Sequence, residues 1–283
     1  MSPPLTLRRL VLAPLCCADA DRKAALTREL PAAAAEVGAA EVLAPPPGVP
    51  GRPARPTLVA HTHVKPRPVS TAAGRAALIH ALAHIELNAI DLALDIVWRF
   101  PGLPEAFYRD WAGVAREEAL HFQLLAAHLK SLGHAYGDFP AHNALWEMAE
   151  KTRGDVLARV ALVPRTLETR GLDASPPLRA KLLGAGDARA AEILDVILHD
   201  EIGHVALGNH WYRWLCAQRG LEPVATYAEL AQRHGAPRPR GPFNLEARRA
   251  AGFTAEELQA LVDAAAAGPT PDGPMPRSVE SAD

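Results

Sequence analysis

Two Glu-x-x-His pairs are the feature that most restricts how this chain of 283 residues can fold. The first pair is Glu118 with His121, and the second is Glu201 with His204. Each pair lies inside a long apolar pattern with helical spacing. Residues i and i+3 share a helical face, so each Glu and its His point in the same direction. The sequence therefore predicts helices whose buried faces carry acids and imidazoles where apolar side chains normally lie.

An isolated glutamate precedes each pair. Glu86 comes 32 residues before Glu118, and Glu168 comes 33 residues before Glu201, as if one helix pair were used twice. The apolar residues on the helical faces of these glutamates are Ile79, Leu82, Ala83, Ile90, Ala93 and Val97 for Glu86, Trp111, Val114, Phe122, Leu125 and Leu129 for Glu118, and Leu194, Ile197, Leu198, Val205 and Leu215 for Glu201. An uncompensated buried carboxylate is costly or takes up a proton, so we expect cations among these groups.

Metal ions meet this electrostatic requirement most simply. Four carboxylates carry −4 and two divalent cations carry +4, so the site closes to neutrality. A Glu and the His three residues later can reach the same ion while a Glu from a neighbouring helix bridges or caps. The sequence therefore predicts a dinuclear metal site with the ligands Glu86, Glu118, His121, Glu168, Glu201 and His204.

The sequence around these residues resembles a known superfamily. The runs that carry the resemblance are HALAHIELNAIDLALD, EEALHF, LETRGLDASP and HDEIGHVALGNHW, within about residues 70–217. They are similar to ferritin-like di-iron carboxylate proteins, and more narrowly to a bacterial branch that carries only a domain-of-unknown-function label. The resemblance implies an all-α, ferritin-like four-helix bundle with two iron ions, for which manganese is the alternative because it accepts the same ligands.

Two acidic residues directly precede ligand glutamates, namely Glu117 and Asp200. A metal-bound histidine normally donates its other ring N–H to a carboxylate, which fixes the tautomer. The resemblance implies that Asp200 orients His121 and that Glu117 orients His204. The alternative is that both acids are solvated at the surface.

Residues 1–70 are predicted to be an arm. A helix is expected between about Asp21 and Leu43, interrupted at Pro31, and the eight prolines in residues 44–68 exclude regular structure there. The apolar stretch from Leu5 to Ala18 is short and contains Pro14, so we interpret it as part of a structured arm, with a weak signal peptide as the alternative.

Residues 71–218 are predicted to form the bundle. Its four helices are expected from after Ser70 to Arg99, from about Pro104 to Leu132, from Ala144 to Arg170, and from about Asp187 to Gln218, with residues 133–143 as the crossover. Gly154 and Pro164 both interrupt the third of these stretches. Pro164 removes a backbone N–H one turn before Glu168, which predicts a kink or local widening beside the metal site. Gly171 is expected to end the third helix, with Pro176 and Pro177 in a linker.

Residues 219–283 are predicted to be a helical extension and a tail. Thr254 and Glu257 form a capping box for a last helix that runs to about Ala267. After Gly268 the chain is expected to be disordered. Alternating apolar and polar runs typical of strands do not occur.

Composition limits the class of protein and its partners. A net charge of −2 and a pI near 6.6 provide no strong global field for nucleic acid or a membrane. No run approaches the roughly 20 apolar residues of a membrane span. The cysteines are Cys16, Cys17 and Cys216, whose spacing suits neither a metal site nor a disulfide framework, so we expect a reducing cytoplasm.

Several polar residues outside the predicted site are assigned to the surface. His80, His84, Asp91 and Asp95 lie nearly opposite Glu86 on the first helix and are interpreted as a polar outer face, packed by the arm, rather than as a second metal site. His199, His61 and His63 are interpreted as surface residues. Arg238, Arg240, Arg248 and Arg249 could contact RNA, but a solubilising surface is the preferred interpretation.

Two functional classes compete. The first is an oxygen-activating oxidase or hydroxylase, which would need dioxygen, a small organic substrate and an electron donor. The second is iron or peroxide handling, as in ferroxidases, peroxidases and catalases. A tRNA-modifying hydroxylase and a structural metal bundle are further alternatives. The long terminal segments favour a substrate-using enzyme, while Leu125, where radical-storing relatives place a tyrosine, argues against radical storage. No catalytic residue beyond the ligands is assigned.

Overall fold

The computed structural model describes residues 5–31, 36–64 and 67–267. The helices in this part of the chain are α1 (Leu7–Leu10), α2 (Leu12–Leu15), α3 (Ala20–Arg28), a 3-10 turn (His61–His63), α4 (Ala72–Arg99), α5 (Glu105–Ser131), α6 (Ala144–Lys151), α7 (Val156–Leu162), a π-helical segment (Val163–Glu168), α8 (Thr169–Gly184), α9 (Ala188–Gln218), α10 (Pro223–Arg233), α11 (Leu245–Ala250) and α12 (Ala255–Ala266). The β pairing within these ranges is a single bridge between Leu58 and Ala141. The predicted all-α fold class is therefore confirmed.

The bundle is built from two helix pairs. α4 packs along α5, α8 packs along α9, and α5 contacts α9 between the pairs. α5 and α9 are antiparallel, because His128 near the end of α5 contacts Asp187 before α9, whereas Asp110 near the start of α5 accepts from Trp211 in the second half of α9. The third side is made by α7, the π-helical segment and α8 in succession.

Local capping explains why the long helices begin and end where predicted. The Thr71 hydroxyl accepts from the N–H of Gly74 at the start of α4, and the Asp187 carboxylate accepts from the N–H of Ala190 at the start of α9. Gly133 follows α5 with a φ of 80°, a conformation that glycine adopts without strain. The observed bounds of α4, α5 and α9 lie within two residues of the predicted ones.

The third bundle helix is interrupted near Gly154, as predicted, because α6 ends at Lys151 and α7 begins at Val156. The predicted widening at Pro164 is present as the π-helical segment Val163–Glu168. The predicted end at Gly171 is wrong, because α8 continues through Pro176 and Pro177 to Gly184. Pro176 cannot donate to the carbonyl of Leu172, and the side-chain amide of Asn244 donates to that oxygen instead, at 3.2 Å.

The amino-terminal arm is packed onto the bundle through two buried cations. The Arg8 guanidinium donates to the carbonyls of Val97 at 3.0 Å and Trp98 at 2.6 Å, and the Lys23 ammonium pairs with Asp91. The predicted arm helix was too long, because α3 ends at Arg28 and residues 36–43 are not helical. Regular helical structure in residues 44–64 is limited to the 3-10 turn, as their prolines predict.

The polar face of α4 is an interior surface rather than an exposed one. His80, His84, Asp91 and Asp95 are all buried. Their partners are the N–H of Gly137 for His80, the Tyr136 hydroxyl and the His142 carbonyl for His84, Lys23 for Asp91, and Arg99 and Arg159 for Asp95. The arm covers part of this face through Lys23, and the crossover and α7 cover the rest. His61, His63 and His199 are exposed, as predicted.

The carboxyl-terminal extension contains more structure than predicted. The capping box of Thr254 and Glu257 starts α12 as expected, but α10 and α11 were not predicted. The surface interpretation of Arg248 is wrong, because this residue is buried against Asp173 of α8. The disorder predicted after Gly268 lies outside the described residues.

One hydrophobic core joins the arm, the bundle and the extension, since it includes Leu7 and Leu15 of the arm and Leu230 of α10. The prediction that no run approaches a membrane span was wrong for α4, which is long and apolar enough by length and composition. However, 72% of its apolar window is buried inside the structure. This burial is typical of the central helix of a bundle.

Candidate metal centre

Four elements of the bundle bring the predicted ligands together. α4 provides Glu86, α5 provides Glu118 and His121, the π-helical segment provides Glu168, and α9 provides Glu201 and His204. One potential ligand atom each from Glu86, Glu118, His121 and Glu201 lies within 4.8 Å of the others, and all four residues are buried. This group can hold a metal ion.

Glu118 lies between the two imidazoles. Its Oε2 is 3.2 Å from Nδ1 of His121, and its Oε1 is 3.0 Å from Nδ1 of His204. The centres of the two rings are 5.9 Å apart. Glu86 Oε2 is 3.5 Å from Nδ1 of His121, and Glu201 Oε2 is 3.9 Å from Nδ1 of His204. Within the cluster, therefore, Glu86 is near the imidazole of His121, Glu201 is near that of His204, and Glu118 is near both.

Glu168 borders the group of four. It is partly exposed as a residue, while its Oε2 is buried and has no hydrogen-bond partner. Burial, followed by repulsion from Glu118, raises the pKa of Glu168 to about 8. The side chain is therefore close enough to feel the charges of the cluster.

Five buried polar atoms in this cluster lack hydrogen-bond partners: Oε2 of Glu86, Oε1 of Glu118, Oε2 of Glu168, Oε2 of Glu201 and Nδ1 of His204. Buried polar atoms in proteins are nearly always satisfied. Glu118 Oε1 and His204 Nδ1 approach to 3.0 Å without the geometry of a hydrogen bond. The donor set therefore fits cations, which take lone pairs from all five atoms.

Burial raises the proton affinity of Glu86 and Glu201, as it does that of Glu168. It raises the pKa of Glu86 to about 8, and the negative charge of Glu118 adds to the effect. Burial also raises the pKa of Glu201 well above its usual value, again assisted by Glu118. These acids are therefore reluctant to ionise unless a positive charge is beside them.

Glu118 and the two histidines shift in the opposite sense. Burial alone would raise the pKa of Glu118, but His204 and His121 outweigh it and hold the pKa well below its usual range. Burial alone would lower the pKa of His121, but hydrogen bonds with Glu118 and Glu86 raise it to about 12. The pKa of His204 is likewise raised despite burial, chiefly by Glu118. Protons balance the charge in this arrangement, and a divalent cation would displace them.

Two further acids contact the imidazoles from outside the cluster. His121 Nε2 lies 3.0 Å from Oδ2 of Asp200, and His204 Nε2 lies 2.7 Å from Oε2 of Glu117. Each contact crosses between α5 and α9, in the pairing that the resemblance implies. Both leave Nδ1 of the imidazole facing the cluster. Holding the Nε2 proton in this way keeps Nδ1 available as a ligand.

Arg165 is a buried residue near the cluster that the sequence patterns did not indicate. This residue lies three positions before Glu168 in the π-helical segment and is buried. Its acceptors are Asn209 Oδ1 at 2.9 Å and Glu257 Oε1 at 2.7 Å. The available signal was an arginine inside an apolar run, but its partners lie 44 and 92 residues further along the chain.

The fold and the cluster define a helical protein whose interior can hold a metal ion. The chain belongs to the family described as protein of unknown function DUF455, which matches residues 16–259. It is 50% identical over 213 residues to an uncharacterized protein of Haemophilus influenzae strain Rd, over 73% of this chain and 74% of that relative. No solved structure matches the chain significantly. The predicted membership of a domain-of-unknown-function family is thus confirmed, and the link to ferritin-like proteins stays a prediction.

Proposed function

We propose that the protein is a dinuclear non-haem iron enzyme that activates dioxygen to oxidise or hydroxylate a small organic molecule. The observation that carries the proposal is the convergence of five unpartnered buried donor atoms from four elements of the bundle. Glutamate and histidine donors suit iron, and manganese is the alternative metal.

The distances suggest how the ligands divide between two ions. Glu86 and His121 are neighbours on one side of Glu118, and Glu201 and His204 are neighbours on the other. Glu118 has one oxygen near each imidazole, so it would help to hold metal on both sides of the cluster. Glu168 would complete the ligand set from the border of the cluster, where its buried Oε2 has no hydrogen-bond partner. Six protein ligands shared by two ions leave positions for exogenous molecules.

The protein's own residues would prepare this site for chemistry. Ferrous ions held here by the glutamates and histidines would supply the electrons and the open coordination positions for reaction with dioxygen. Asp200 and Glu117 hold the Nε2 protons of the histidines and so fix the direction of Nδ1. Burial of Glu86, Glu118 and Glu201 excludes bulk water.

Glu168 is the assigned ligand with the greatest exposure, and it ends a π-helical segment. Such segments occur frequently at functional sites. We therefore place access for small molecules on the Glu168 side of the cluster. Of the four arginines considered for RNA contact, Arg248 is buried against Asp173 and is not available, while Arg238, Arg240 and Arg249 are exposed.

Oxygen uptake at a fixed iron stoichiometry tests the proposal. Anaerobic protein is loaded with two ferrous ions per chain and mixed with dissolved dioxygen, and uptake and ferric absorbance are followed by stopped flow. We expect rapid uptake limited to the loaded iron, with no accumulation of ferric product when a large ferrous excess is added. Glu118→Ala protein is the control and should show neither reaction above the rate of free iron.

Two results would contradict the proposal. Oxidation of the ferrous excess over many turnovers, with ferric iron retained by the protein, would indicate a ferroxidase. Full binding of two ions without any uptake of dioxygen would indicate a structural metal bundle.

A further inference from the structure

We infer that Arg165 is a positioning residue through which the carboxyl-terminal extension holds the π-helical segment, and with it the side chain of Glu168. This inference rests on the proposed metal site. It assigns to residues 219–267 a part in shaping that site, although none of them is a predicted ligand.

Arg165 connects the segment to two other elements by its guanidinium group. Nε donates to Oδ1 of Asn209 on α9 at 2.9 Å, and Nη2 donates to Oε1 of Glu257 on α12 at 2.7 Å. Both Arg165 and Glu257 are buried, so water does not screen this ion pair strongly. Nε and Nη2 donate in the plane of the guanidinium to two separate acceptors, an arrangement that a lysine ammonium could not reproduce.

Three aromatic rings surround the same guanidinium. Its carbon atom lies 4.8 Å from the ring centre of Tyr212, 4.7 Å from that of Tyr227 and 5.0 Å from that of Phe253. Tyr227 belongs to α10, and Phe253 precedes α12. Cation–π contacts at such distances are favourable, more so when the cation is desolvated. The extension therefore provides two of the three rings and the carboxylate that fix Arg165.

Other contacts join the extension to the same region. The Thr166 hydroxyl in the π-helical segment lies 2.9 Å from the Tyr227 hydroxyl. Asn209 donates to the carbonyl of Ala251 at 2.8 Å, and Arg213 donates to Oε2 of Glu257 at 2.7 Å. Glu257 thus receives hydrogen bonds from Arg165 and Arg213 at once, which fixes its position.

The π-helical segment needs such support. Pro164 provides no N–H for the helix, and π-helices are rare because their backbone packing is unfavourable. α9 approaches closely on one side, where a Cβ at Gly208 would lie 3.2 Å from the Cβ of Pro164. The partners of Arg165 bind the segment from the extension. Arg165 lies three positions before Glu168 on the same segment, so we expect a shift of the segment at Arg165 to change where Glu168 points.

Arg248 provides a matched control. Like Arg165, it is 5% exposed. It forms a salt bridge with Asp173 at 2.6 Å, and its guanidinium lies over the rings of Phe243 and Phe253. It also joins the extension to the bundle. The two arginines share the ring of Phe253, but the carboxylate partner of Arg248 belongs to α8 beyond the π-helical segment. Loss of Arg248 therefore weakens the extension while both hydrogen-bond partners of Arg165 stay in place.

Titration with cobalt(II) distinguishes a positioning role from a merely structural one. Metal-free wild type, Arg165→Met and Arg248→Met proteins are titrated with Co²⁺, and the d–d spectrum and bound equivalents are recorded. We expect Arg165→Met to bind one equivalent normally and the other about 10- to 100-fold more weakly, with an altered spectrum, as for other outer-sphere changes. Arg248→Met should bind two equivalents with the wild-type spectrum, even if its melting temperature falls equally.

Hydrogen exchange of the metal-free proteins tests the same inference without metal. Arg165→Met should accelerate exchange in residues 163–170 more than Arg248→Met does. Failure of wild type to bind Co²⁺ would remove the proposed function, while this measurement would still decide whether Arg165 holds the segment. Equal effects of both substitutions on spectrum and exchange would overturn the inference. If Arg165→Met does not fold, Glu257→Gln replaces it, since glutamine retains the capping box but removes the charge.

Discussion

Glu118 uses both of its carboxylate oxygens, one toward each imidazole of the cluster. Its two neighbours His121 and His204 hold its pKa below the usual range, while the pKa of Glu86 is raised to about 8. Glu118 is therefore the carboxylate whose negative charge is stabilised by both imidazoles. In the described part of the chain, Glu86 contacts only His121 of the two histidines and Glu201 contacts only His204, so neither carboxylate can take over the position of Glu118 between the two rings.

Replacement of Glu118 by alanine should reduce metal content and remove the stabilisation that metal provides. A ligand that binds only the native state adds about 2.7 kcal/mol when present at 100 times its dissociation constant. We expect the melting temperature of wild type to fall when a chelator is added, and that of Glu118→Ala to stay unchanged. Calorimetry with and without chelator measures both. A wild-type transition that is insensitive to chelator would show that no metal is bound.

Asp200→Asn should keep the fold but weaken the ion held by His121. The amide cannot provide the negative charge that supports the imidazole, and losses of such contacts typically cost about 10- to 100-fold in metal affinity. Asp195→Asn is the control, because Asp195 lies on the same helix and is half exposed. Competition titrations should separate the two variants. Equal affinities for both would reduce Asp200 to a surface acid.

The candidate ligands could be proposed from the sequence because their signals are local, each being an acid or imidazole inside an apolar helical pattern. The structure brings Glu86, Glu118, His121 and Glu201 into one buried group, and their role as ligands stays a prediction. Glu117 and Asp200 came from the resemblance, and their contacts with His204 and His121 are present. Arg165 could not be predicted in this way, since its role depends on residues far along the chain. Its surroundings exist only after the extension has folded against the bundle.

At the level of elements, α4, α5 and α9 were predictable because caps and periodicity define each of them within its own sequence. α8 was not, because the carbonyl left free by Pro176 is satisfied by Asn244 from the extension. The same limit applies to the polar face of α4. Its charge pattern suggested an outer surface, but the arm and the crossover bury it.

Acid should destabilise the contact between α4 and the crossover through His80. Burial, with a smaller contribution from the charge of His84, lowers the pKa of His80 from 6.5 to about 4. The neutral form accepts a hydrogen bond from the N–H of Gly137, which the protonated ring cannot do. The unfolded chain therefore binds more protons than the native chain between these pH values. Stability present above pH 6.5 is lost as the pH falls toward 4, by roughly 3 kcal/mol at most.

Urea unfolding of wild type and His80→Gln between pH 7.5 and 4.5 measures this effect as a difference. The difference removes contributions common to both proteins, including that of Asp91, whose pKa burial raises to about 6 and which acts in the opposite sense. We expect the stability of His80→Gln to depend less on pH than that of wild type. His199→Gln, at an exposed position, should behave as wild type does. Parallel pH curves for wild type and His80→Gln would contradict the assignment.

Over the whole molecule, the arm and the extension are fixed to the bundle by buried cations. Arg8 and Lys23 hold the arm, while Arg165 and Arg248 hold the extension. Each of these side chains is almost fully removed from water. Buried ion pairs such as those of Lys23, Arg165 and Arg248 add little net stability compared with apolar packing, but loss of one partner is costly. They therefore favour one relative placement of the three parts over others.

Lys23→Met should consequently destabilise the entire protein rather than the arm alone. The substitution leaves Asp91 buried without its partner, for which the expected cost is roughly 3–5 kcal/mol. The arm shares its hydrophobic core with the bundle, since Leu15 packs in the same cluster as residues of α4 and α5. We expect a single urea transition, monitored by tryptophan fluorescence, with a lower midpoint and an unchanged slope. The double variant Lys23→Met with Asp91→Leu should recover most of the loss, because it removes both charges together. Two separate transitions, with the main midpoint unchanged, would show that the arm unfolds independently of the bundle.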